Sequence, residues 1–548
     1  MEKPEDFIAD RKRPFTGAEY MASLRDGRAV YIDGERVADV TTHPAFRNAV
    51  RSVARLYDAL HDPRTRDLLT CPTDTGSGGY THKYFRVPRS REDLIGAQQA
   101  IAGWARLSYG WMGRTPDYKA AFSNTLGAVP DYYGPYAENA RRWYVRAQEA
   151  VPFMNHALVN PPVDRHLPAE AVKDVYACVK KETAAGIYVS GAKVVATSAA
   201  FTHYNFMGQS SKTATEDLDL SLMFMVPINA PGLKLICRAS YEAAASRNGS
   251  PFDYPLSSRF DENDAIFVLD NVFVPWEDVF VYRDPARVMS FFPGTGFLHG
   301  GMFQGCTRYC VKLDLIAGLL AKALRATGGD EVRSNQVLLG ELVAWRHLFW
   351  SLSNAMAHDP MPWKGDAVLP ELQAAVSYRV FAPDSWPRIR DIVQRTMSSA
   401  LIYLPSSAKD FANPEIDGYL QKYVRGSHDW NAFYRPEKFG AGRPGHEDKL
   451  SRLQGERIPD LDAERSRHEF LSWDMQPGDT LVHQAMTIHG APGNSSSTVR
   501  RRAYSIRWAG DDATWDPRPG ILETIPGPST LPYPTAIGGP LEAFPSVQ

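Results

Sequence analysis

The chain has 548 residues, of which 44% are hydrophobic and 23% are charged, and its formal net charge at pH 7 is −2. A single hydrophobic core rarely supports this length, so the composition predicts a globular protein with several packed units. The balanced charge provides no overall field that attracts nucleic acid or an anionic membrane, and we expect neither as a partner.

The cysteine content and the N-terminal composition indicate a cytoplasmic protein. The five cysteines are an odd number scattered through the chain, which favours reduced thiols over a disulfide framework. The N-terminal stretch MEKPEDFIADRKRPF carries charges throughout and lacks the apolar segment of a signal peptide. The apolar run from Leu315 to Ala321 ends at Lys322 and is too short to span a bilayer.

The hydrophobic periodicity changes three times along the chain. Apolar residues recur at helical spacing up to about Val151, and short β-branched and aromatic runs follow between Ile187 and Tyr282. Long helical patterns return up to Tyr403, and after Gly426 the chain becomes rich in Gly, Pro and Arg, with strand-like runs. These patterns predict a helical N-terminal domain (1–155), an antiparallel β-barrel or sandwich (156–290), an incomplete helical bundle (291–426) and a β-rich tail (427–548).

Five long segments of the chain resemble one family of enzymes, the oxygenase components of 4-hydroxyphenylacetate 3-monooxygenase. The resemblance covers residues 6–427 and includes YGWMGRTPDYKAAF and FMNHALVNPPVDRHLP. The five segments are Tyr109–Phe122, Phe153–Pro168, Ser190–Phe206, Ser250–Asp284 and Leu401–Ser427. The resemblance implies the acyl-CoA dehydrogenase-like fold, in which a flavin lies between the β domain and the helical bundle.

The resemblance also implies the reaction and its partners. In this family a separate flavin reductase supplies FADH2, which reacts with oxygen to give a flavin hydroperoxide. The hydroperoxide hydroxylates a small phenol ortho to its hydroxyl, so we expect FAD, oxygen and a compound like 4-hydroxyphenylacetate. Family members are tetramers, and a homo-oligomer is therefore expected here.

The matched motifs place the functional residues of the family on this chain. Around the phenol hydroxyl, where catalysis occurs, the resemblance implies Arg114, Tyr118 and His156. The implied flavin-binding residues are His156, Val159, Asp164, Arg165 and Thr197, and the implied substrate loop contains Ser210 and Ser211.

The chemistry of these residue types suits activation of a phenol. A guanidinium about 4 Å from a phenolate, at an effective dielectric constant of about 20, stabilises it by roughly 4 kcal/mol. His156 would accept the proton, and Tyr118 would donate a hydrogen bond to the resulting oxyanion. Purely structural alternatives remain, in which Arg114 pairs with Asp117 and His156 is a buried core histidine.

Two other patterns are interpreted as structural. Gly440, Gly442 and Gly445 satisfy G-x-G-x-x-G, but no apolar strand precedes them, and Pro444 interrupts the motif. Cys306 and Cys310 lie one helical turn apart and are predicted to be buried thiols rather than half of a metal site.

The tail resembles the second half of a phytanoyl-CoA dioxygenase-like protein, which predicts a partial double-stranded β-helix. In that family, His489 of IHGAPGN would be an iron ligand, and Arg500 would bind 2-oxoglutarate. An intact site also requires an H-x-D pair on an earlier strand, but the H-x-D of this chain, His446 to Asp448, lies downstream of GSHDW in a Gly-rich and Pro-rich loop. We therefore expect no metal. Two alternative functions remain open, an iron and 2-oxoglutarate-dependent dioxygenase and a catalytically impaired flavin-binding or assembly scaffold.

Overall fold

A computed structural model describes residues 3–163, 166–209, 217–327, 329–398 and 405–423, together with four two-residue strands in the tail. Internal contacts divide the chain into two units, residues 1–407 and residues 408–548. The finer division at 155, 290 and 426 stays a prediction.

Helices account for most of the first unit. In chain order they are α1 (Gly17–Ser23), α2 (Arg47–Ala59), α3 (Arg66–Leu69), α4 (Arg91–Leu107), α5 (Ala120–Ala128), α6 (Ala137–Ala150), α7 (Ala169–Val172), α8 (Tyr241–Asn248), α9 (Pro285–Thr295), α10 (Phe297–Thr327), α11 (Arg333–His358) and α12 (Leu372–Met397). The second unit contains α13 (Asp417–Tyr423).

The strands of the first unit are mostly short. They are β1 (Val30–Ile32), β2 (Glu35–Val37), β3 (Thr70–Pro72), β4 (Tyr80–His82), β5 (Met154–Ala157), β6 (Cys178–Thr183), β7 (Gly186–Lys193), β8 (Tyr204–Met207), β9 (Leu222–Pro227), β10 (Leu233–Cys237), β11 (Ala265–Pro275), β12 (Val279–Tyr282), β13 (Met361–Pro362) and β14 (Val368–Leu369). The second unit contains β15 (Tyr434–Arg435), β16 (Glu456–Arg457), β17 (Thr514–Trp515) and β18 (Thr535–Ala536).

Helix α4, which precedes the loop of the candidate site, shows how the local sequence determines where a helix begins. It begins after Ser90, whose hydroxyl oxygen accepts a hydrogen bond from the Asp93 N–H at 3.1 Å. The apolar residues Leu94, Ile101 and Trp104 are fully buried on one side of the helix. The predicted helical periodicity is therefore confirmed in this segment.

Two open sheets form the middle of the first unit. Their strand orders are β2-β1-β10-β11-β7-β6 and β12-β9-β8-β5. The predicted strand runs are confirmed as β7, β9, β10, β11 and β12, but the predicted antiparallel barrel needs correction. Pairing among the described strands leaves both sheets open, and β1 pairs with β10, and β5 with β8, in parallel.

The long helices α10, α11 and α12 pack against one another, and α10 also packs against α4 and α5. One continuous hydrophobic core links these helices with both sheets. Cys306 and Cys310 are buried in α10, as predicted, and the Cys306 thiol donates to the Phe349 carbonyl at 3.2 Å. Among the described residues, no helix is both long enough and apolar enough to cross a membrane.

A buried histidine makes part of the stability of this core dependent on pH. His82 is fully buried and stacks on Trp104 at 4.3 Å, and its Nδ1 accepts the Tyr84 N–H at 3.2 Å. Burial lowers the pKa of His82 to about 3. An unfolded histidine titrates near 6.5, so the contribution is complete above about pH 6.5 and is lost as the pH falls toward 3.

We expect His82→Gln to flatten the dependence of the free energy of unfolding on pH. One proton fewer is taken up on unfolding, so the slope changes by about 1.4 kcal/mol per pH unit between roughly pH 6 and pH 4. Urea denaturation across this range measures it. Trp104→Phe is the control, because it weakens the stacking without removing a titrating group. Equal slopes in His82→Gln and the unsubstituted protein would contradict the prediction.

Candidate active site

The loop after α4 is held against α10 by close backbone packing. Gly110 has a φ of 65°, and a Cβ at this position would lie 2.5 Å from the backbone nitrogen of Lys312 and 2.6 Å from the carbonyl oxygen of Arg308. Only glycine fits this approach. The Arg308 guanidinium also donates to the Gly110 carbonyl at 2.7 Å. The loop therefore delivers Arg114 and the following 3-10 helix, Pro116–Lys119, to a fixed place.

Three of the predicted residues come together around the ring of Tyr118. The Arg114 guanidinium carbon lies 4.2 Å from the centroid of this ring. The His156 ring, on β5, has its centroid 5.7 Å from the Tyr118 centroid. The cluster thus combines a cation, a phenol hydroxyl and an imidazole, and the catalytic roles of these groups stay a prediction.

The imidazole of His156 favours its neutral form. Its side chain is partly exposed as a whole, but Nδ1 is buried and has no hydrogen-bond partner among the described residues. Burial, and then the positive charges of Lys119 and Arg114, lower the pKa of His156 well below its usual value. His156 is therefore a weaker proton acceptor than its residue type suggests.

The structural alternative for Arg114, an ion pair with Asp117, is not what the structure shows. Asp117 is buried and accepts a hydrogen bond from the Thr115 hydroxyl at 2.5 Å. Burial raises the pKa of Asp117 to about 6. The backbone N–H of Arg114 donates to the Glu262 carboxylate. The guanidinium has no carboxylate partner among the described residues, so its charge is available to a ligand.

The sequence did not indicate Lys119 as a site residue. Its side chain is fully buried, and Nζ lies 4.6 Å from the centroid of the Tyr118 ring and 5.0 Å from that of Phe297. Nζ has no hydrogen-bond partner in the part of the chain that the structure describes. The DYK order alone suggests an exposed lysine, and only the tertiary packing shows otherwise.

Thr197 is connected to the strand that carries His156. The Asn155 side-chain amide donates to the Thr197 carbonyl at 2.8 Å, and the Thr197 hydroxyl donates to Asp264 at 2.6 Å. Val159 follows β5, is 49% exposed and accepts the Val194 N–H at 2.9 Å. Thr197 and Val159 therefore lie next to the strand of His156, and their role in flavin binding stays a prediction.

Comparisons with known proteins match this architecture over most of the chain. A family model described as 4-hydroxyphenylacetate 3-hydroxylase N terminal matches residues 16–281, and the corresponding C-terminal model matches residues 288–438. The chain belongs to the 4-hydroxyphenylacetate 3-hydroxylase family. The family resemblance predicted from the sequence motifs is thereby confirmed.

Individual relatives of this hydroxylase family agree with the assignment. A 4-hydroxyphenylacetate 3-monooxygenase oxygenase component of Pseudomonas aeruginosa is 58% identical over 78% of this chain and 82% of its own length. A 4-nitrophenol 2-monooxygenase oxygenase component of a Rhodococcus species is 54% identical over 76% and 80%, respectively. The crystal structure of an oxygenase component complexed with FAD and 4-hydroxyphenylacetate has a TM-score of 0.70 and 31% identity, covering 80% of this chain and 91% of that one. The fold predicted from the family resemblance is confirmed as the fold of this solved oxygenase component, with the correction to its sheets.

The hydroxylase fold leaves polar atoms unpaired where a flavin is expected. Asn155 Oδ1 and Ser198 Oγ are buried and have no hydrogen-bond partner among the described residues. Both residues lie next to Thr197, since the Asn155 amide donates to the Thr197 carbonyl and Ser198 follows Thr197 in the chain. Buried polar atoms normally find partners. A flavin carries carbonyl, ring nitrogen and N–H groups that suit such atoms, so these residues fit the cofactor.

Several predicted positions lie outside the described residues. They are Asp164, Arg165, Ser210 and Ser211 in the hydroxylase part, and His446, Asp448, His489 and Arg500 in the tail. A model described as phytanoyl-CoA dioxygenase matches residues 421–503, which confirms the predicted resemblance of the tail. In the described ranges, no cluster of His, Cys, Asp and Glu side chains is suited to hold a metal ion.

Proposed function

We propose that the chain is the oxygenase component of a two-component flavin-dependent monooxygenase that hydroxylates a small phenol ortho to its hydroxyl. The observation that carries the proposal is the Arg114 guanidinium, which has no carboxylate partner among the described residues and lies 4.2 Å from the centroid of the Tyr118 ring, itself 5.7 Å from the His156 ring. The names of the relatives with 58% and 54% identity support the reaction class.

Arg114 stabilises the negative charge that a phenol gains when its ring becomes electron-rich. In the described ranges the Arg114 guanidinium donates to the Gly113 carbonyl and has no carboxylate partner, so the phenol oxygen does not compete with an existing ion pair. The Tyr118 hydroxyl donates a hydrogen bond to this oxygen, and neutral His156 orients it through its unpaired Nδ1. The phenol hydroxyl is thus held by three groups, from the loop after α4, from the 3-10 helix that follows it and from β5.

Reduced FAD is the proposed cofactor, and a separate flavin reductase is the proposed partner. Bound FADH2 supplies the oxygen-activating chemistry that delivers one oxygen atom to the ring. His156, Val159 and Thr197 would hold it, with Asp164 and Arg165 from outside the described residues. Asn155 Oδ1, an acceptor, and Ser198 Oγ, which can donate or accept, have no partner among the described residues and support this placement.

The proposed substrate is 4-hydroxyphenylacetate or a close analogue. A solved structure with 31% identity contains 4-hydroxyphenylacetate, and another relative is named for 4-nitrophenol. Both compounds are phenols with a para substituent. Ser210 and Ser211 are the proposed residues of the substrate loop. We further propose that the protein is a cytoplasmic homo-oligomer without membrane or nucleic-acid partners.

Turnover with a reductase tests the proposed function. Purified protein, a flavin reductase, NADH, FAD and 4-hydroxyphenylacetate are expected to give the corresponding catechol, which liquid chromatography detects. A reaction without this protein controls for free reduced flavin, which yields hydrogen peroxide. Peroxide without catechol, despite bound reduced FAD, would instead support the scaffold alternative.

A further inference from the structure

Lys119 carries a buried amine that has no role in the proposed function. It ends the 3-10 helix before α5, its side chain is fully buried, and Nζ has no hydrogen-bond partner in the described ranges. The aromatic rings of Tyr118 and Phe297 lie beside it. Burial of an ammonium without a partner is costly, so such a group is either neutral or completed by a ligand.

This amine lies beside Tyr118, one of the residues of the proposed phenol site. Lys119 Nζ and Arg114 Cζ lie 4.6 Å and 4.2 Å from the centroid of the same Tyr118 ring. The centroid of the His156 ring lies 5.7 Å from that point. Nζ of Lys119 and Nδ1 of His156, two buried nitrogens without a hydrogen-bond partner among the described residues, therefore belong to side chains that lie around the same ring. A phenol hydroxyl in this region would give both of them a partner.

From this placement we infer that the Lys119 amine takes the phenol's proton when the substrate binds, an inference that rests on the proposed function. The phenol O–H bond breaks and a new N–H bond forms on Nζ. A neutral amine and a neutral phenol become an ammonium and a phenolate, and no proton is exchanged with the solvent. The Arg114 charge and the Tyr118 hydroxyl then hold the phenolate.

Lys119 is better suited to this role than His156. Burial, and then the charge of Arg114, lower the pKa of Lys119 well below its usual value, which favours the neutral amine. Burial also lowers the pKa of His156, but the histidine starts near 6.5 whereas a lysine starts near 10.4. The other titratable groups of the cluster are Tyr118 and Asp117, and burial raises the pKa of Asp117 to about 6.

Two measurements on one ligand test the transfer in the FAD-loaded protein at neutral pH. Fluorine NMR of bound 3-fluoro-4-hydroxyphenylacetate reports whether its hydroxyl is ionised. Calorimetry in two buffers of different ionisation enthalpy counts the protons released on binding. We expect an ionised ligand with close to zero protons released. Release of one proton per site, or a bound ligand that stays protonated, would overturn the inference. The proposed function would stand in either case, because the ligand would still be bound.

Two variants assign the acceptor. Lys119→Met keeps the length and apolar surface of the side chain, and we expect its bound ligand either to stay protonated or to release its proton to the buffer. Lys322→Met, at an exposed lysine of α10 outside the cluster, is the matched control and should behave as the unsubstituted protein. The inference is wrong if internal transfer survives in Lys119→Met or disappears equally in Lys322→Met. No bound ligand signal in the unsubstituted protein would overturn the proposed function itself.

Discussion

Arg114→Met is expected to lower kcat/KM for phenol hydroxylation by about 100-fold, which corresponds to roughly 2.7 kcal/mol of lost transition-state stabilisation. A full charge about 4 Å from a phenolate contributes roughly 4 kcal/mol at an effective dielectric constant of about 20, and partial exposure of the side chain reduces this. Without the cation the ring is less electron-rich. More of the oxygen consumed should then leave as hydrogen peroxide.

The ratio of catechol formed to NADH oxidised measures this loss of coupling. Arg106→Met is the matched control, because Arg106 is exposed in the last turn of α4 and lies outside the site. Arg114→Lys should recover part of the rate, since a lysine keeps the charge but not the planar stacking on Tyr118. Unchanged coupling in Arg114→Met would show that this guanidinium does not act on the phenol.

The longer elements could be predicted from the sequence because their periodicity is local. In β11 buried and exposed residues alternate up to Leu269, and the alternation resumes after a register shift before Val272. Strands β1 and β2 have three residues each, too few to show a period. The parallel pairing of Val30 with Leu235 joins segments far apart in sequence, and no local pattern predicts it.

The site was predicted only where motif resemblance extended to individual side chains. Arg114, Tyr118 and His156 lie in long matched segments, and the structure brings them together. Lys119 is in the same segment, but its burial depends on Phe297 at the start of α10, which sequence periodicity does not connect with it. The lowered pKa of His156 likewise depends on tertiary burial and on neighbouring charges.

The second large effect is expected at the N-terminus, where Arg146→Met should lower the free energy of unfolding by about 3–5 kcal/mol. Arg146, on α6, donates two hydrogen bonds of 2.6 Å to the carboxylate of Glu5, which is only 6% exposed. The Tyr204 hydroxyl donates to the same carboxylate at 2.8 Å. Removal of the guanidinium leaves Glu5 as a buried charge with, in the part of the chain that the structure describes, a single neutral donor.

The loss of stability comes from the unpaired carboxylate of Glu5, so replacement of this carboxylate should restore part of the free energy of unfolding. The double variant Glu5→Gln/Arg146→Met is expected to be substantially more stable than Arg146→Met alone in urea denaturation, although the lost stacking on Trp143 remains. Arg11→Met is the control, since its pair with Asp6 is about half exposed and should contribute at most about 1 kcal/mol. If the single and double variants were equally destabilised, packing of the Arg146 side chain, not the buried charge of Glu5, would account for the loss.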